Sequence, residues 1–466
     1  MTQSEKPLFS NRRLFTIILP LLLEQYLAIL VGMADTVMVS SVGEHAVSGV
    51  SLVNNISAVM LNLFTALAAG GGIVTSQFLG AKRSDDAQRS TGQVITMSLG
   101  ISLIIMSLCL VFSKPLLKLF FGGITEKTMN AASTYFFYNA LSFPFLALYS
   151  AFSAILRADG NTKTAFYVSM LRNVTNIGGN ALCVYGLKMG VAGVAIPTAF
   201  SRLVGAACMA FAVSKGHYPL RPRATDIIRI NPKLMGRMLK VGLPTAVENS
   251  IFQLGRVITL SMITMVPVAA GLAPDYQTAA NSTAGTLSNF TVATITALSV
   301  AGMTVVGQCI GAQDFRQTQK NVKKLLFLGY AGQIVMNTFL LIFRYPLIHI
   351  FQNLSEETIE LSADLLCIHL PCAMLIYPLA FLLPSFLRAA SDSAFPMYAS
   401  IASMAIFRLS LAWVLCVNLG WGAKGVWWAM IADWLCRSIL FSARWLSGAW
   451  KKKFKLDDKK EGKSPA

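Results

Sequence analysis

Residues 14–42 read LFTIILPLLLEQYLAILVGMADTVMVSSV. The run is long and apolar enough to cross a bilayer, for which roughly 20 residues suffice. It nevertheless carries Glu24 and Asp35. A carboxylate in hydrocarbon costs on the order of 3 kcal/mol or more, so its presence requires a partner or a task. At about 100° per residue, the spacing from Glu24 to Asp35 overshoots three full turns by only about 20°, which puts both acids on one helix face. Pro20 and Gly32 predict a kink and a thin spot that a rigid anchor would not need. The pattern is that of a helix lining a polar cavity inside a bundle.

The rest of the composition agrees with a membrane setting. The chain has 466 residues, 55% hydrophobic and 13% charged, where a soluble chain carries about 25% charged residues. A formal charge of +18 could suggest nucleic acid. The basic residues form no stripe interleaved with aromatics, however, and sit instead at the ends of apolar runs, so no nucleic-acid partner is expected. The short polar N-terminus leads into residues 14–42 without a small-residue cleavage site, so no removable signal is expected. The eight cysteines all lie in apolar runs with no CxxC pair and read as small buried hydrophobes.

Outward from residues 14–42, apolar runs and breaks predict twelve helices. In the first half they fall at 14–40, 50–76, 92–114, 131–156, 165–186 and 190–213. In the second half they fall at 237–265, 278–307, 323–346, 360–388, 395–418 and 422–447. The chain divides accordingly into a six-helix lobe at 1–213, a polar linker at 214–236, a second six-helix lobe at 237–447 and a basic tail at 448–466. With the N-terminus inside, and helix ends counted with their adjoining loops, 28 Lys and Arg lie inside, 6 lie outside and 5 remain in spans. That asymmetry predicts a multi-pass protein with both termini cytoplasmic, placed in the bacterial inner membrane. The tail is expected to face solvent or lipid headgroups.

An internal repeat supports the division. Leu19-Pro20-x-x-x-Glu24 recurs as Leu243-Pro244-x-x-x-Glu248, and Gln77-x-x-Gly80-Ala81 as Gln308-x-x-Gly311-Ala312. Leu156-Arg157-Ala158 recurs as Leu387-Arg388-Ala389, and Gly190-x-x-Gly193 as Gly422-x-x-Gly425. The offset moves from 224 to 231 and 232, which predicts an insertion of seven residues around 267–277. Two like-oriented six-helix repeats bind substrate between lobes that rock against one another. The sequence therefore points to a transporter.

No enzyme constellation is present: no HExxH, no GxSxG, no Walker loop and only four histidines, none at ligand spacing. Without a nucleotide site, uphill transport needs an ion gradient, so intramembrane ionisable groups become the candidates. Asp35 is the first, because an embedded carboxylate can exchange a proton or, with oxygen neighbours, hold a sodium ion. Asn176 and Asn180 share a face of the fifth helix at i and i+4. Thr198 follows Pro197 in the sixth. A competing reading makes the asparagines interhelical hydrogen-bonding glue. Glu24 and Glu248 hold equivalent repeat positions. They are either cavity-facing acids that attract cationic substrates or partners of the span arginines 172, 202, 256, 408 and 437. Asp364, His369 and Asp433 read as structural, and the Gln-Gly-Ala motifs as helix caps that turn the chain.

Together these residues resemble the multidrug and toxic compound extrusion (MATE) transporters, in their NorM-like and DinF-like bacterial branches. The resemblance rests on Pro20, Ala34-Asp35-Thr36 followed by Val42-Gly43, Gln77-x-x-Gly80-Ala81, Leu156-Arg157-Ala158-x-Gly160, Asn176-x-x-x-Asn180 and Ala279-Ala280-Asn281. It implies an all-α membrane protein of twelve transmembrane helices in two pseudo-symmetric lobes. It also implies efflux of amphipathic, cationic organic compounds in exchange for protons or sodium ions. A cation-coupling set of Asp35, Asn176, Asn180 and Thr198 follows, with sodium a candidate at the first three. Glu24, Glu248 and Arg256 are the substrate-cavity candidates. Where some relatives carry a second acid on the fifth helix, this chain has Asn180. Where others place an acid on the seventh, it has Phe252, so coupling is expected through the N-terminal lobe. No cofactor beyond the coupling ion is expected; the expected partners are small organic molecules and membrane lipid, and the expected state is a monomer. A lipid-linked glycan flippase of the same superfamily is the alternative; it predicts a strongly cationic cavity.

Overall fold

The protein is described here by a computed structural model over residues 8–121, 125–215, 220–266, 275–351 and 354–454. The expected insertion at 267–277, the middle of the linker and the end of the tail fall largely outside these residues.

Among the described residues the secondary structure is helical throughout, with no strand. Six long helices build the first half: α1 (Asn11–Ser40), α2 (Glu44–Gly80), α3 (Ser84–Val111), α4 (Glu126–Leu141 and Phe143–Ala158, bent by 45°), α5 (Thr162–Ala181) and α6 (Ala192–Ser214). Six more build the second: α7 (Pro232–Thr264), α8 (Tyr276–Gly311), α9 (Phe315–Ile342), α10 (Glu356–Ala389), α11 (Ala394–Asn418) and α12 (Gly422–Leu446). Most run past the apolar stretches that announced them. At about 1.5 Å per residue, a 30-residue helix measures about 45 Å, more than the hydrocarbon core, so its polar ends reach the interface.

Hydropathy and length alone pick out eight of these helices, or nine with the bent pair. The three that fall short are α5, α7 and α12. They carry the polar groups that turn inward: Asn173, Asn176 and Asn180; Glu248; Asp433 and Arg437, all buried. Several helix starts are set by side-chain caps. Ser10 accepts from the Arg13 amide, Asn161 from Thr164 and Ser355 from Thr358, each satisfying a donor that the first turn leaves open.

Pro20 lies inside the uninterrupted α1, and a Cβ at Gly32 would meet nothing within 4 Å, so this glycine makes no close helix contact. Gly70 does. A Cβ there would stand 2.7 Å from the Gly242 nitrogen, so α2 of the first half and α7 of the second cross backbone to backbone. The start of α1 also belongs to a shared core: Phe9, Leu14, Ile17 and Leu21 are buried in one cluster with residues of α8.

The repeat motifs meet across this junction. The Gln77 amide nitrogen donates to the Ala389 carbonyl at 2.8 Å, and that of Gln308 to the Ala158 carbonyl at 2.7 Å. A Cβ on Gly80 would collide with the Gln308 carbonyl, and one on Gly311 with that of Gln77. The motifs do close their helices, because the Ala81 and Ala312 amides donate back to the Gln77 and Gln308 carbonyls. Their side chains, however, hold the two halves together, which a capping role did not anticipate.

Candidate functional site

Two polar centres emerge, one within the first half and one opening onto a cavity. The first is built on α1, α5 and α6. Asn180 is fully buried and donates to Asp35 Oδ1 at 2.9 Å. The Asn176 carboxamide lies between Asp35 and Thr198, and the orientation with nitrogen toward an ionised Asp35 satisfies both of its polar atoms. With nitrogen toward Thr198, it donates to Oγ1 at 3.1 Å and turns its oxygen to Asp35. With nitrogen toward Asp35, it donates to Oδ1 and Oδ2 at 3.0 and 3.2 Å and accepts from Thr198. In the orientation with nitrogen toward Thr198, the Thr198 hydroxyl donates to the Val194 carbonyl at 2.8 Å, in the turn that holds Pro197. A widened π turn, Leu182–Gly186, follows α5 directly after Asn180. Such turns recur at functional sites. The structure thus brings all four candidates of the coupling set into one cluster.

The remaining carboxylates are placed differently from the cavity expectation. Glu24 is salt-bridged to Arg157 at 2.8 Å, and Glu248 to Arg388 at 2.7 Å with Ser400 donating at 2.8 Å. Neither glutamate lines the cavity. Pairing prevails, but the partners are the arginines of the two Leu-Arg-Ala motifs rather than the five in mid-span. The physical reason is registry: the same pair forms once in each repeat, and each charge neutralises the other away from water. The mid-span arginines of the first half find neutral partners. Arg202 donates to Asn139 and Ser142 at 2.9 and 2.7 Å, and Arg172 lies 4.6 Å over the Tyr149 ring.

The second centre lies in the second half. Asp433 takes Arg437 at 2.8 Å and Ser403 at 2.6 Å, with Arg408 farther away at 3.8 Å. Both guanidinium groups lie over the Phe252 ring. The exposed Asp364 pairs with Lys424 at 2.7 Å. His369 is buried among Tyr377, Trp427 and Trp434. Of these, Phe252, His369, Tyr377, Arg408, Trp427 and Trp434 line a cavity of about 910 Å³, walled by α2, α7, α8, α10 and α12 together with Arg408 of α11. Asn281, of the Ala-Ala-Asn motif, fixes one wall by accepting from the Trp427 indole at 2.9 Å. Of the three substrate-cavity candidates, only Arg256 stands on this lining. The aromatic wall escaped sequence reading because its members are scattered from 252 to 434.

Comparison with known proteins agrees with this architecture. The family model MatE matches residues 20–182 and 244–414. An uncharacterized transporter of Bacillus subtilis, YisQ, is 29% identical, covering 96% of this chain and 97% of its own. A probable multidrug resistance protein, NorM, of Thermotoga maritima is 27% identical, covering 95% and 94%. Among solved structures, a MOP-superfamily transporter from Pyrococcus furiosus, described by a binding pocket of reversed polarity, superposes with a TM-score of 0.86 at 17% identity. That match covers 95% of this chain and 97% of the other, and it shows the twelve-helix fold. The chain belongs to the MatE family of multi-pass membrane transporters.

Proposed function

We propose that this chain is a secondary active efflux antiporter of the bacterial inner membrane, with both termini cytoplasmic, acting as a monomer. It exports amphipathic organic compounds in exchange for a coupling cation held at Asp35. The observation that carries the reading is the Asp35–Asn180 hydrogen bond of 2.9 Å, with Asn176 and Thr198 completing the cluster inside the first half.

Turning of the Asn176 amide gives the coupling a chemical form. When Asp35 is protonated, its hydroxyl donates to the Asn176 oxygen, the Asn176 nitrogen donates to Thr198, and Thr198 donates to the Val194 carbonyl. When Asp35 is ionised, the amide turns and donates to the carboxylate, while Thr198 donates to the amide oxygen. Loading the proton therefore reverses a short hydrogen-bond chain linking α1, α5 and α6. A cation can shift an equilibrium only by its differential affinity for two states, and this reversal supplies such a difference. Amide nitrogens directed at Asp35 suit a proton better than sodium, which needs several oxygens at about 2.4 Å.

Purified protein in proteoliposomes, given an imposed proton gradient or an imposed sodium gradient, tests the proposal. Substrate movement that follows the proton gradient supports it; movement indifferent to both gradients overturns it. The flippase reading has one observation in its favour, the arginines on the cavity lining. It predicts transfer of a lipid-linked pyrophosphate between leaflets, measurable in the same vesicles.

A further inference from the structure

Among the described residues, the charged ones that line the central cavity are Arg256, Arg388 and Arg408, and no carboxylate lines it. Arg388 is neutralised by Glu248 at 2.7 Å. Among the described residues neither of the other two is hydrogen-bonded to a carboxylate. Asp433 gives Oδ1 to Arg437 and Ser403, and its Oδ2, without a hydrogen bond, faces Arg408 at 3.8 Å. Arg408 is 6% exposed, and its Nε and Nη1 find no hydrogen-bond acceptor. Among the described residues no carboxylate pairs with Arg256, which stands exposed on the cavity wall close enough to repel Arg408. Arg437, Arg408 and Arg256 thus gather around the one carboxylate of Asp433, and the surplus positive charge with open guanidinium donors favours an arriving anion.

Two further features define that anion. His369 is 3% exposed and aimed into the same cavity with both ring nitrogens unpaired. Phe252, Tyr377, Trp427 and Trp434 supply flat apolar walls. The widened turn Met404–Leu411 carries Arg408, in keeping with the frequency of π turns at functional sites. Arginine forks match carboxylate and phosphate oxygens bidentately, and aromatic faces hold a planar ring system.

We infer that this cavity binds an aromatic organic anion, a planar ring system bearing a carboxylate or phosphate group, with Arg256 and Arg408 taking the acidic group and the aromatic walls taking the ring. This replaces the cationic substrate expected from a carboxylate-lined cavity, since Glu24 and Glu248 are committed to ion pairs. It rests on the transporter reading and names the substrate class of that same cavity.

Equilibrium binding tests it without any gradient, so it succeeds or fails independently of Asp35 coupling. Fluorescein and a rhodamine ester share one ring system and carry opposite charges. Their fluorescence anisotropy is measured with the full chain in vesicles of neutral phosphatidylcholine. Fluorescein is expected to bind about tenfold or more tightly than the rhodamine ester, and Arg256→Gln to weaken fluorescein by about tenfold without weakening the cation. Arg256 is exposed, so its variant folds even if Arg408→Gln does not. Tighter binding of the rhodamine ester, or fluorescein binding indifferent to Arg256→Gln, overturns the inference. A polyprenyl phosphate in the vesicles tests the lipid-borne source of the same chemistry. If it displaces the dye more strongly than soluble phenyl phosphate, the occupant is a lipid headgroup and the soluble substrate is overturned; displacement by the soluble anion alone supports it.

Discussion

Gln77 and Gln308 each carry a side-chain amide into the opposite half of the chain, to the carbonyls of Ala389 and Ala158 at 2.8 and 2.7 Å. Because the acceptors belong to the Leu-Arg-Ala motifs, each repeat grips the other at the same two sequence marks. Arg237 completes the Gln77 amide by donating to its oxygen at 3.2 Å. The junction is shut at the end where the charge bias places the cytoplasm. It must release for substrate to enter from that side.

Removing one grip therefore favours release. Gln77→Ala leaves a buried carbonyl unmatched, at a cost of about 1–3 kcal/mol to the closed arrangement. Distances between spin labels at positions 82 and 313 should lengthen or broaden in this variant, and more so with Gln308→Ala added. An unchanged distance distribution in the double variant would remove the latch from the account.

The glycine crossing makes a contrasting pair. Gly70→Ala forces a Cβ against the Gly242 backbone, whereas Gly32→Ala adds one to open space. Overpacking of a tight contact costs about 1–3 kcal/mol. Thermal unfolding in detergent should show a clear loss for Gly70→Ala and little change for Gly32→Ala. Equal effects would contradict the crossing.

Glu24 and Arg157 test the pairing reading. Truncating one partner of a buried pair leaves the other charge uncompensated, at about 3–5 kcal/mol, while removing both costs less than the sum. Glu24→Ala and Arg157→Ala should each destabilise strongly, with a favourable coupling in the double variant. The Glu248–Arg388 pair should repeat the result. Additive effects would mean that the glutamates act separately, as cavity acids would.

Much of this was legible in the sequence. The Pro-x-x-x-Glu, Gln-x-x-Gly-Ala and Leu-Arg-Ala marks recur in one order, and the structure joins those same marks to one another. The partner of Glu24 was readable in principle, since Arg157 recurs with it as Arg388 does with Glu248. Burial alone does not single it out, because arginines in mid-span look more in need of an acid than those at helix ends. Arg202 and Arg172 show why that intuition fails: amide, hydroxyl and ring contacts satisfy them. Asp35 with Asn176, Asn180 and Thr198 was legible from helical spacing. The cavity was not, because Phe252, Arg256, His369, Arg408 and Trp427 converge only through the packing of four helices. No local period records that.

The hydrogen-bond chain at Asp35 makes its own demand. Thr198→Val keeps the shape but removes both the acceptor for Asn176 and the donor it becomes when the amide turns. Gradient-driven transport should slow by about tenfold, a loss of one to two hydrogen bonds, with substrate binding unchanged. An equal loss of binding would place Thr198 at the substrate instead.

The most direct test of the central claim is transport by Asp35→Asn in proteoliposomes under an imposed proton gradient. The amide keeps the size of the carboxylate and its contact with Asn180 but has no acid proton to release. The account predicts that accumulation against a gradient falls by about 100-fold, within the range of coupling free energies, while downhill equilibration of the same substrate continues. Uphill transport retained at the wild-type level would contradict it.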